Sequence, residues 1–336
     1  MSDAAAPALL TFRFGPADRL ATEVAARPDE TLLVVRYGGA AGDAALPAPL
    51  LAVPNPRLDA GAGLEIWAST APVERGRSGA VAWAEDGSVL AGAVRWRLGD
   101  DLAGETRDHF GELLDLLIAR GYPHLYRVWN YLPGINAEQG GLERYRLFNV
   151  GRARAFEERF GEDAAIARYS ASSAVGAPGD ELVTGFLAGR APGRHLENPR
   201  QVPAFRYPAL YGPKSPSFCR GTLAETAEGT VFFLSGTASI VGHRSRWMGD
   251  VGAQFDETLA NVEVLSAEAE RAHGRPIGKL PEFALVKTYL RDAEDLSLVQ
   301  TALARAGVPP ERSLLLEAEI CRAELDLELE GIALLG

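Results

Sequence analysis

Phe283-Ala-Leu-Val-Lys-Thr-Tyr-Leu290 is an apolar run typical of a buried β-strand, and Tyr126-Arg-Val-Trp-Asn-Tyr-Leu132 is a similar run in the first half of the chain. Each run follows a segment with apolar residues at helical spacing, within residues 106–120 in the first case and after a capping Asp256 in the second. The repeated order is strands, helix, strand, helix, strands. It predicts an α+β fold of two tandem units forming a pseudo-symmetric chain, with helices on one face of a mostly paired sheet.

The domain boundary is predicted near residue 200, where Pro199, Pro203 and Pro208 cluster. A length of 336 residues suits about two domains. We therefore expect an N-terminal domain over residues 1–200 and a C-terminal domain over residues 201–336. The first 30 residues and the stretch 38–62, rich in Gly, Ala and Pro, are expected to be irregular additions. Because two fused units can face each other within one chain, we expect a monomer.

The charge balance argues against nucleic acids and anionic membranes as partners. Lys and Arg number 34 and Asp and Glu 45, so the net charge is −11, whereas both partners favour basic surfaces. The sequence has no apolar stretch of 18 residues and no basic, apolar leader at its start, so we expect neither a membrane span nor a signal peptide.

Cysteine and histidine usage argues against a disulfide framework and a metal site. The two cysteines, Cys219 and Cys321, are expected to be reduced thiols in a cytoplasmic protein. The five histidines are scattered, and no CxxC or HExxH motif occurs. We therefore predict no metal.

The last predicted strand alternates apolar and acidic residues, which places all its acids on one face. One interpretation is an ordinary solvated face. The other is that one carboxyl lies in a cleft, where burial and its acidic neighbours raise its pKa, as a general acid requires. The apolar residues are Leu325, Leu327 and Leu329, and the acids are Glu324, Asp326, Glu328 and Glu330.

Two further segments carry candidate anion-binding residues. On a helix from about residue 142, Tyr145, Phe148, Arg152 and Phe156 share one face. Arg152 either covers apolar surface with its stem or directs its guanidinium at a substrate carboxylate. The proline-rich segment 205–221 is either a plain loop or a second source of cleft residues, with Tyr207, Tyr211 and Arg220 as the candidates.

Several motifs together carry a family resemblance. The runs Phe232-Phe-Leu-Ser-Gly-Thr237, Gly249-Asp250, Lys287-Thr-Tyr-Leu290 and Glu328-Leu-Glu-Gly-Ile-Ala333 are similar to the YjgF/RutC/RidA-like, or chorismate-mutase-like, α+β unit. Two such units, joined to Arg127-Val-Trp-Asn-Tyr-Leu-Pro-Gly-Ile-Asn136 and Gly141-Leu-Glu-Arg-Tyr-Arg146, resemble the chorismatases over roughly residues 80–336.

The resemblance implies an enzyme that removes the enolpyruvyl group of chorismate and releases pyruvate without a cofactor. The ring product is 3-hydroxybenzoate, 4-hydroxybenzoate or a mixture of both; the alternative is hydrolysis to a dihydroxycyclohexadienoate. Glu328 matches the position of the family's catalytic glutamate, and Glu330, on the same face, is its rival. An imine deaminase of the RidA type and a non-catalytic metabolite-binding protein are the other hypotheses.

The resemblance also assigns substrate-binding positions. Tyr145 and Arg152 lie in one block that carries substrate contacts, and Tyr211 and Arg220 lie in another. Cys321 and Ala238 occupy the two positions that separate subclasses. Cys321 matches hydroxybenzoate formation, whereas Ala238 is closer to the hydrolytic pattern, so the ring product stays open at this point.

Overall fold

The structure, a computed structural model, describes residues 10–38, 48–59, 63–226 and 229–335. These residues form three large β-sheets in chain order, which we call the N-terminal, middle and C-terminal sheets, together with two short hairpins. Short 3-10 helices connect several elements. They span Pro28–Glu30, Ala204–Arg206, Ala209–Tyr211, Leu280–Glu282, Ala293–Asp295 and Pro310–Arg312.

The N-terminal sheet contradicts the expectation that the chain begins with irregular additions. Its elements are β1 (Leu10–Pro16), α1 (Ala17–Ala26), β2 (Thr31–Tyr37), β3 (Leu50–Ala52) and β4 (Gly63–Ser69). The strand order is β1-β4-β2-β3, and β2 and β3 run parallel. The prediction is wrong for residues 10–26 and 50–52, which form β1, α1 and β3, because β1 pairs with β4 and β3 pairs with the buried strand β2. Residues 39–47 and 60–62 of the expected irregular stretch lie outside the described residues.

The middle sheet has the order β5-β6-β7-β12-β8-β11, with β8 and β11 parallel. Asp101 caps the N-terminus of helix α2, because its side chain accepts a hydrogen bond from the Gly104 amide. Gly121, in the left-handed conformation, caps the C-terminus. The elements are β5 (Glu74–Ser78), β6 (Val81–Glu85), β7 (Val89–Arg97), α2 (Leu102–Arg120), β8 (His124–Pro133), β9 (Glu138–Gln139), β10 (Leu142–Glu143), α3 (Arg144–Phe160), α4 (Glu162–Ile166), β11 (Ala171–Ala177) and β12 (Glu181–Gly189).

The C-terminal sheet has the order β13-β14-β15-β20-β18-β19, with β18 and β19 parallel. Its long helix is capped by Asp250 and not by Asp256 as expected, because the helix begins six residues earlier than the apolar spacing indicated. The elements are β13 (Arg194–Leu196), β14 (Gly221–Thr226), β15 (Gly229–Thr237), β16 (Ile240–Val241), β17 (Arg244–Ser245), α5 (Val251–His273), β18 (Leu285–Leu290), α6 (Leu296–Arg305), β19 (Ser313–Glu317) and β20 (Leu327–Leu335).

The middle and C-terminal sheets have the same strand order and the same parallel pair, which confirms the predicted α+β class of two tandem units. The N-terminal sheet repeats the last four strands of this order: β1, β4, β2 and β3 correspond to β7, β12, β8 and β11. It is therefore a third, shorter copy of the same topology. Because β13 already pairs with β14 in the C-terminal sheet, that sheet begins before residue 200, and the exact domain boundary stays a prediction.

The three sheets face a common core, and the helices lie outside it. Trp67, Trp129 and Phe233, one from each sheet, belong to the same buried cluster. Phe110 of α2 and Phe255 of α5 pack in separate clusters on the outer faces of their own sheets. None of the helices in the described ranges is long and apolar enough to cross a membrane. This arrangement leaves the seam between the middle and C-terminal sheets available for a cavity.

Candidate active site

A cavity of about 250 Å³ lies between the middle and C-terminal sheets. Helix α3 and strand β11 form one wall, and β20 with residues 205–221 form the other. All seven residues that the family resemblance assigned to catalysis, substrate binding or subclass line this one cavity, although they come from distant parts of the chain. They are Tyr145, Arg152, Tyr211, Arg220, Ala238, Cys321 and Glu328.

Close packing of α3 against α2 directs one face of α3 into the cavity. A Cβ atom at Gly151 would collide with the Ala103 carbonyl oxygen and lie 2.6 Å from Thr106 Cβ. Glycine at this position therefore lets the two helices approach each other closely. As a result Arg152 and Phe148 are buried, and Tyr145 lines the cavity one turn earlier.

Arg152 is 2% exposed, so the interpretation of a surface arginine covering apolar groups is wrong. Its Nη1 donates a hydrogen bond to Ser172 Oγ at 3.2 Å, and the guanidinium lies 5.3 Å from the Phe110 ring centre. Its Nε and Nη2 have no hydrogen-bond partner among the described residues. Burial lowers the pKa of Arg152 to about 10, so it stays a cation at neutral pH. A buried cation with unpaired N–H groups favours an anionic ligand.

Arg220 is the second buried guanidinium of the cavity, at 3% exposure. Its Nη2 donates to Tyr207 Oη at 2.7 Å and to the Val202 carbonyl at 3.3 Å. Its Nε has no hydrogen-bond partner among the described residues. Arg152 and Arg220 therefore present unpaired donors to the same space, which suits a ligand with two negative charges.

Arg322 is a cavity residue that the sequence reasoning missed. Its guanidinium carbon lies 4.1 Å from the Tyr211 ring centre, and its Nη1 donates to the His243 carbonyl at 3.0 Å. Tyr211 Oη donates to the same carbonyl at 2.6 Å. The only signal for Arg322 was its place next to Cys321, so its contribution could not be predicted from a pattern.

Glu328 faces the cavity from β20 and is 4% exposed. Its carboxyl group has no hydrogen-bond partner among the side chains and backbone groups of the described residues. Burial and then the charge of Glu330 raise the pKa of Glu328 to about 8, although Arg127 and Arg220 lower it. Glu328 is therefore a protonated acid at neutral pH, which is the state that a general acid needs.

Glu330 lies on the same face of β20 but in a different environment. Arg127 Nη2 donates to its Oε2 at 2.5 Å, and Trp129 Nε1 donates to its Oε1 at 3.1 Å. The Lys287 Nζ atom lies 3.1 Å from Oε1. Burial opposes the charge, but Arg127 and Lys287 lower the pKa of Glu330 to about 2. A permanently ionised carboxylate cannot donate a proton, so the geometry favours Glu328 over its rival.

Cys321 and Ala238 lie in the cavity with Glu328. Burial, and after it the charge of Glu328, raises the pKa of the Cys321 thiol to about 12. The thiol is therefore neutral and is not an activated nucleophile. Ala238 is buried, and its carbonyl accepts a hydrogen bond from Asn261 Nδ2 at 3.0 Å. Both residues shape the cavity wall, and their effect on the product stays a prediction.

The ionisable groups that line the cavity include one buried carboxyl, Glu328, the less buried Glu143 and Glu324, and several guanidinium groups. In the described ranges, no group of three His, Cys, Asp or Glu residues could hold a metal ion. The arrangement can bind a dianion through Arg152 and Arg220 while Glu328 delivers a proton to it. Arg127 and Lys287, which the sequence reasoning did not select as site residues, determine which of the two glutamates keeps its charge.

Comparisons with known proteins agree with this architecture. Residues 65–188 match the family model described as chorismatase FkbO/Hyg5-like, N-terminal. A chorismatase of Streptomyces hygroscopicus is 38% identical over 311 residues, which cover 90% of each sequence. A 3-hydroxybenzoate synthase of the same organism is 35% identical and covers 80% of this chain and 81% of its own. A chorismatase crystal structure superimposes with a TM-score of 0.87 at 34% identity, over 98% of this chain and 100% of its own. These likenesses confirm the predicted resemblance: the chain belongs to the chorismatase family.

Proposed function

We propose that the chain cleaves chorismate to pyruvate and a hydroxybenzoate, with Glu328 as the general acid. The single observation that carries the proposal is the buried carboxyl of Glu328, with a pKa of about 8, in one cavity with the unpaired donors of Arg152 and Arg220. Chorismate is a dianion with an acid-labile enol ether, so it needs both features together. Two relatives, a chorismatase and a 3-hydroxybenzoate synthase, support the same activity.

The proposed chemistry begins with proton transfer from Glu328 to the methylene carbon of the enolpyruvyl group. The ether carbon becomes an oxocarbenium ion, and Glu328 becomes a carboxylate. Either the neighbouring ring hydroxyl or a water molecule then adds to this carbon. Arg152 and Arg220 hold the two carboxylates throughout. A positioned general acid contributes roughly 10²–10⁴-fold to such a step.

The identity of the ring product follows from the nucleophile. Attack by the ring hydroxyl gives a cyclic ketal. The bond between that hydroxyl oxygen and the ring then breaks, the ketal collapses to pyruvate and leaves the former ether oxygen on the ring, and the carbon that bears this oxygen loses its proton to the Glu328 carboxylate, which yields 3-hydroxybenzoate with no net consumption of water. Attack by water gives a hemiketal, which collapses to pyruvate by expelling the former ether oxygen as a ring hydroxyl. This route consumes one water molecule, returns one proton to Glu328 and leaves a dihydroxycyclohexadienoate. We favour 3-hydroxybenzoate for two reasons. The uncharged side chain of Cys321 lines the same cavity as Glu328, and one relative is a 3-hydroxybenzoate synthase.

The test follows pyruvate release and ring products when the purified protein is mixed with chorismate. We expect pyruvate and hydroxybenzoate in equal amounts, and a loss of at least about 100-fold in turnover for Glu328→Gln. Glu311→Gln, at an exposed position, is the matched control and keeps full turnover. Thermal stabilisation by chorismate without product would indicate a binding protein. Ammonia release from imines without action on chorismate would indicate a deaminase. Either result would refute the proposal.

We also propose that the chain acts as a monomer in the cytosol. Three sheets of related topology already close around one core within a single chain, and both walls of the cavity are built from elements of this chain. Both cysteines are free thiols, one buried and one partly buried, as is usual in a reducing compartment. Light scattering at micromolar concentration tests the first point, and localisation of a tagged protein tests the second.

A further inference from the structure

Behind the cavity lies a buried cluster of four charged residues, Glu65, Arg127, Lys287 and Glu330, which we call the central ion cluster. Each of them is at most 2% exposed. The N-terminal sheet supplies Glu65, the middle sheet supplies Arg127, and the C-terminal sheet supplies the other two. Lys287 bridges the two acids, because its Nζ lies 2.8 Å from Glu65 Oε2 and 3.1 Å from Glu330 Oε1.

Glu65 is held firmly in this cluster although it does not line the cavity. Tyr37 Oη donates to its Oε2 at 2.6 Å, and Trp67 Nε1 donates to its Oε1 at 2.7 Å. The strands β4 and β20, which carry Glu65 and Glu330, occupy corresponding positions in their sheets. The cluster therefore has two negative and two positive charges, and it joins all three sheets at the core.

A buried ion cluster without net charge is weak evidence that these residues stabilise the folded state, because well-packed apolar residues of similar size often give equal stability. Its position next to Glu328 indicates a different use. Glu328 and Glu330 are two residues apart on one face of β20, or about 7 Å along the strand. Any change in the net charge of the cluster therefore acts on the ionisation of Glu328 through a medium of low dielectric constant.

The groups that face Glu328 come from several elements. The charged groups that act on its ionisation are Glu330 on its own strand, Arg127 of β8 and Arg220 before β14. The other charged residues that line the cavity are Glu143, Arg146, Arg152, Arg322 and Glu324. Cys321, Tyr145 of α3 and the cross-strand neighbour Tyr289 are neutral near pH 7, because burial raises the pKa of each. Of the three charges that act on Glu328, that of Glu330 opposes its ionisation. Whatever holds Glu330 as a carboxylate therefore helps to keep Glu328 protonated.

We propose that Glu65 and Lys287 are positioning residues of the catalytic site. Lys287 and Arg127 hold Glu330 as a carboxylate, and Glu65 of the N-terminal sheet balances the charge of Lys287, so that the cluster carries no excess positive charge that would favour ionisation of Glu328. This inference rests on the proposed function, in which Glu328 is the acid. Glu65→Gln keeps the size and shape of the side chain and one of its two acceptor oxygens, but it leaves one uncompensated positive charge in the cluster. Ionisation of Glu328 then becomes easier. Lys287→Met added to Glu65→Gln removes that excess charge and restores the balance.

The experiment measures kcat for chorismate against pH in the wild type, Glu65→Gln and the double variant. We expect the midpoint of the alkaline loss to fall by about one pH unit in Glu65→Gln and to return toward the wild-type value in the double variant. KM should change little, since neither residue lines the cavity. Glu181→Gln, on the surface beside Arg95, is the matched control and leaves the midpoint unchanged. A folded Glu65→Gln protein with a wild-type midpoint, or a double variant that does not recover, would overturn the proposal.

A second variant keeps the proposal testable if Glu65→Gln does not fold. Lys287→Met/Glu330→Gln also preserves the net charge, but it removes the acid that lies nearest to Glu328 on β20. The midpoint should therefore fall in spite of the preserved balance, and an unchanged midpoint would count against the proposal.

A readout without turnover separates this inference from the proposed function. Infrared difference spectra against Glu328→Gln follow the protonated carboxyl of Glu328 as a function of pH in the absence of substrate. If chorismate is not cleaved, the proposed function fails, yet the same shift of the carboxyl band in Glu65→Gln would still support the ion cluster. An unshifted band would refute the cluster's influence even if chorismate is cleaved.

Discussion

Glu328 and Glu330 lie two residues apart on the same face of β20, yet their carboxyl groups have opposite protonation at neutral pH. Glu330 contacts Arg127 and Lys287 and has a pKa of about 2. Glu328 faces the cavity and has a pKa of about 8, raised first by burial and then by the charge of Glu330. The negative charge of Glu330 thus helps Glu328 to stay protonated, so that one of two close carboxyl groups is ionised and the other can act as an acid.

The raised pKa of Glu328 predicts the pH dependence of turnover. Because the protonated carboxyl is the active form, kcat should be constant below about pH 8 and fall tenfold per pH unit above it. The measurement is the rate of pyruvate release from saturating chorismate between pH 6 and pH 10. A rate that stays level up to pH 10 would remove Glu328 from the role of proton donor.

The same shift predicts a stability difference between the wild type and Glu328→Gln. Between the ordinary pKa of 4.5 and the folded-state value of about 8, the folded state binds more protons at Glu328 than the unfolded state does. The free energy of unfolding therefore falls as pH rises through this window, by at most about 1.4 kcal/mol per pH unit. Urea denaturation from pH 5 to pH 9 should give a flatter profile for Glu328→Gln. Parallel profiles for the two proteins would contradict the shift.

Replacing either buried arginine of the cavity should weaken substrate binding. In Arg152→Met and Arg220→Met, made in the inactive Glu328→Gln protein, chorismate affinity should fall about 10–100-fold, because each change removes hydrogen bonds to a charged group. Calorimetric titration measures the effect. Arg305→Gln is the control, since Arg305 is exposed and pairs with Asp256 far from the cavity. Equal affinities in all four proteins would show that the anion binds elsewhere.

Cys321→Ala should change the product more than the rate. The thiol is neutral, with a pKa of about 12, so its loss should reduce turnover by less than about tenfold, well short of a lost general acid. The smaller side chain leaves room for water beside Glu328, so part of the product should become the dihydroxycyclohexadienoate. Chromatographic quantification of the two ring products measures the fraction formed by hydrolysis. A loss as large as that of Glu328→Gln would assign the thiol a direct catalytic role.

Gly236→Ala should displace the Glu328 carboxyl. A Cβ atom at Gly236 would collide with Glu328 Oε1 and lie 2.6 Å from Cδ of the same carboxyl, while Ser173 Cβ at 3.1 Å limits its movement. We expect a loss of about 100-fold in turnover, in the range attributed to a general acid. Gly252→Ala on α5 is the control, because the nearest atom to its Cβ is 3.6 Å away. Normal turnover in Gly236→Ala would show that Glu328 does not act from its present position.

The elements that the sequence predicted well are those with a strong local period. The strand around residues 126–132 and the helix over 106–120 are present with small shifts at their ends. They could be predicted because the apolar residues of a buried face recur at the period of the helix or strand that carries them. The N-terminal sheet was missed because β3 has only three residues and β4 joins β2 across residues that are far apart in the chain. Such pairing leaves no periodic signal in a single sequence.

By itself, the sequence determined two features. Apolar and acidic residues alternate along β20, which places Glu328 and Glu330 on one face, and two repeated units provide the walls of a site. Only the tertiary structure decided which of the two glutamates keeps its proton. Arg127 is 203 residues from Glu330 in the sequence, and Glu65 and Lys287 come from different sheets. The pKa of a carboxyl depends on its burial and on charges a few ångströms away in space, and those distances exist only after the three sheets have packed together.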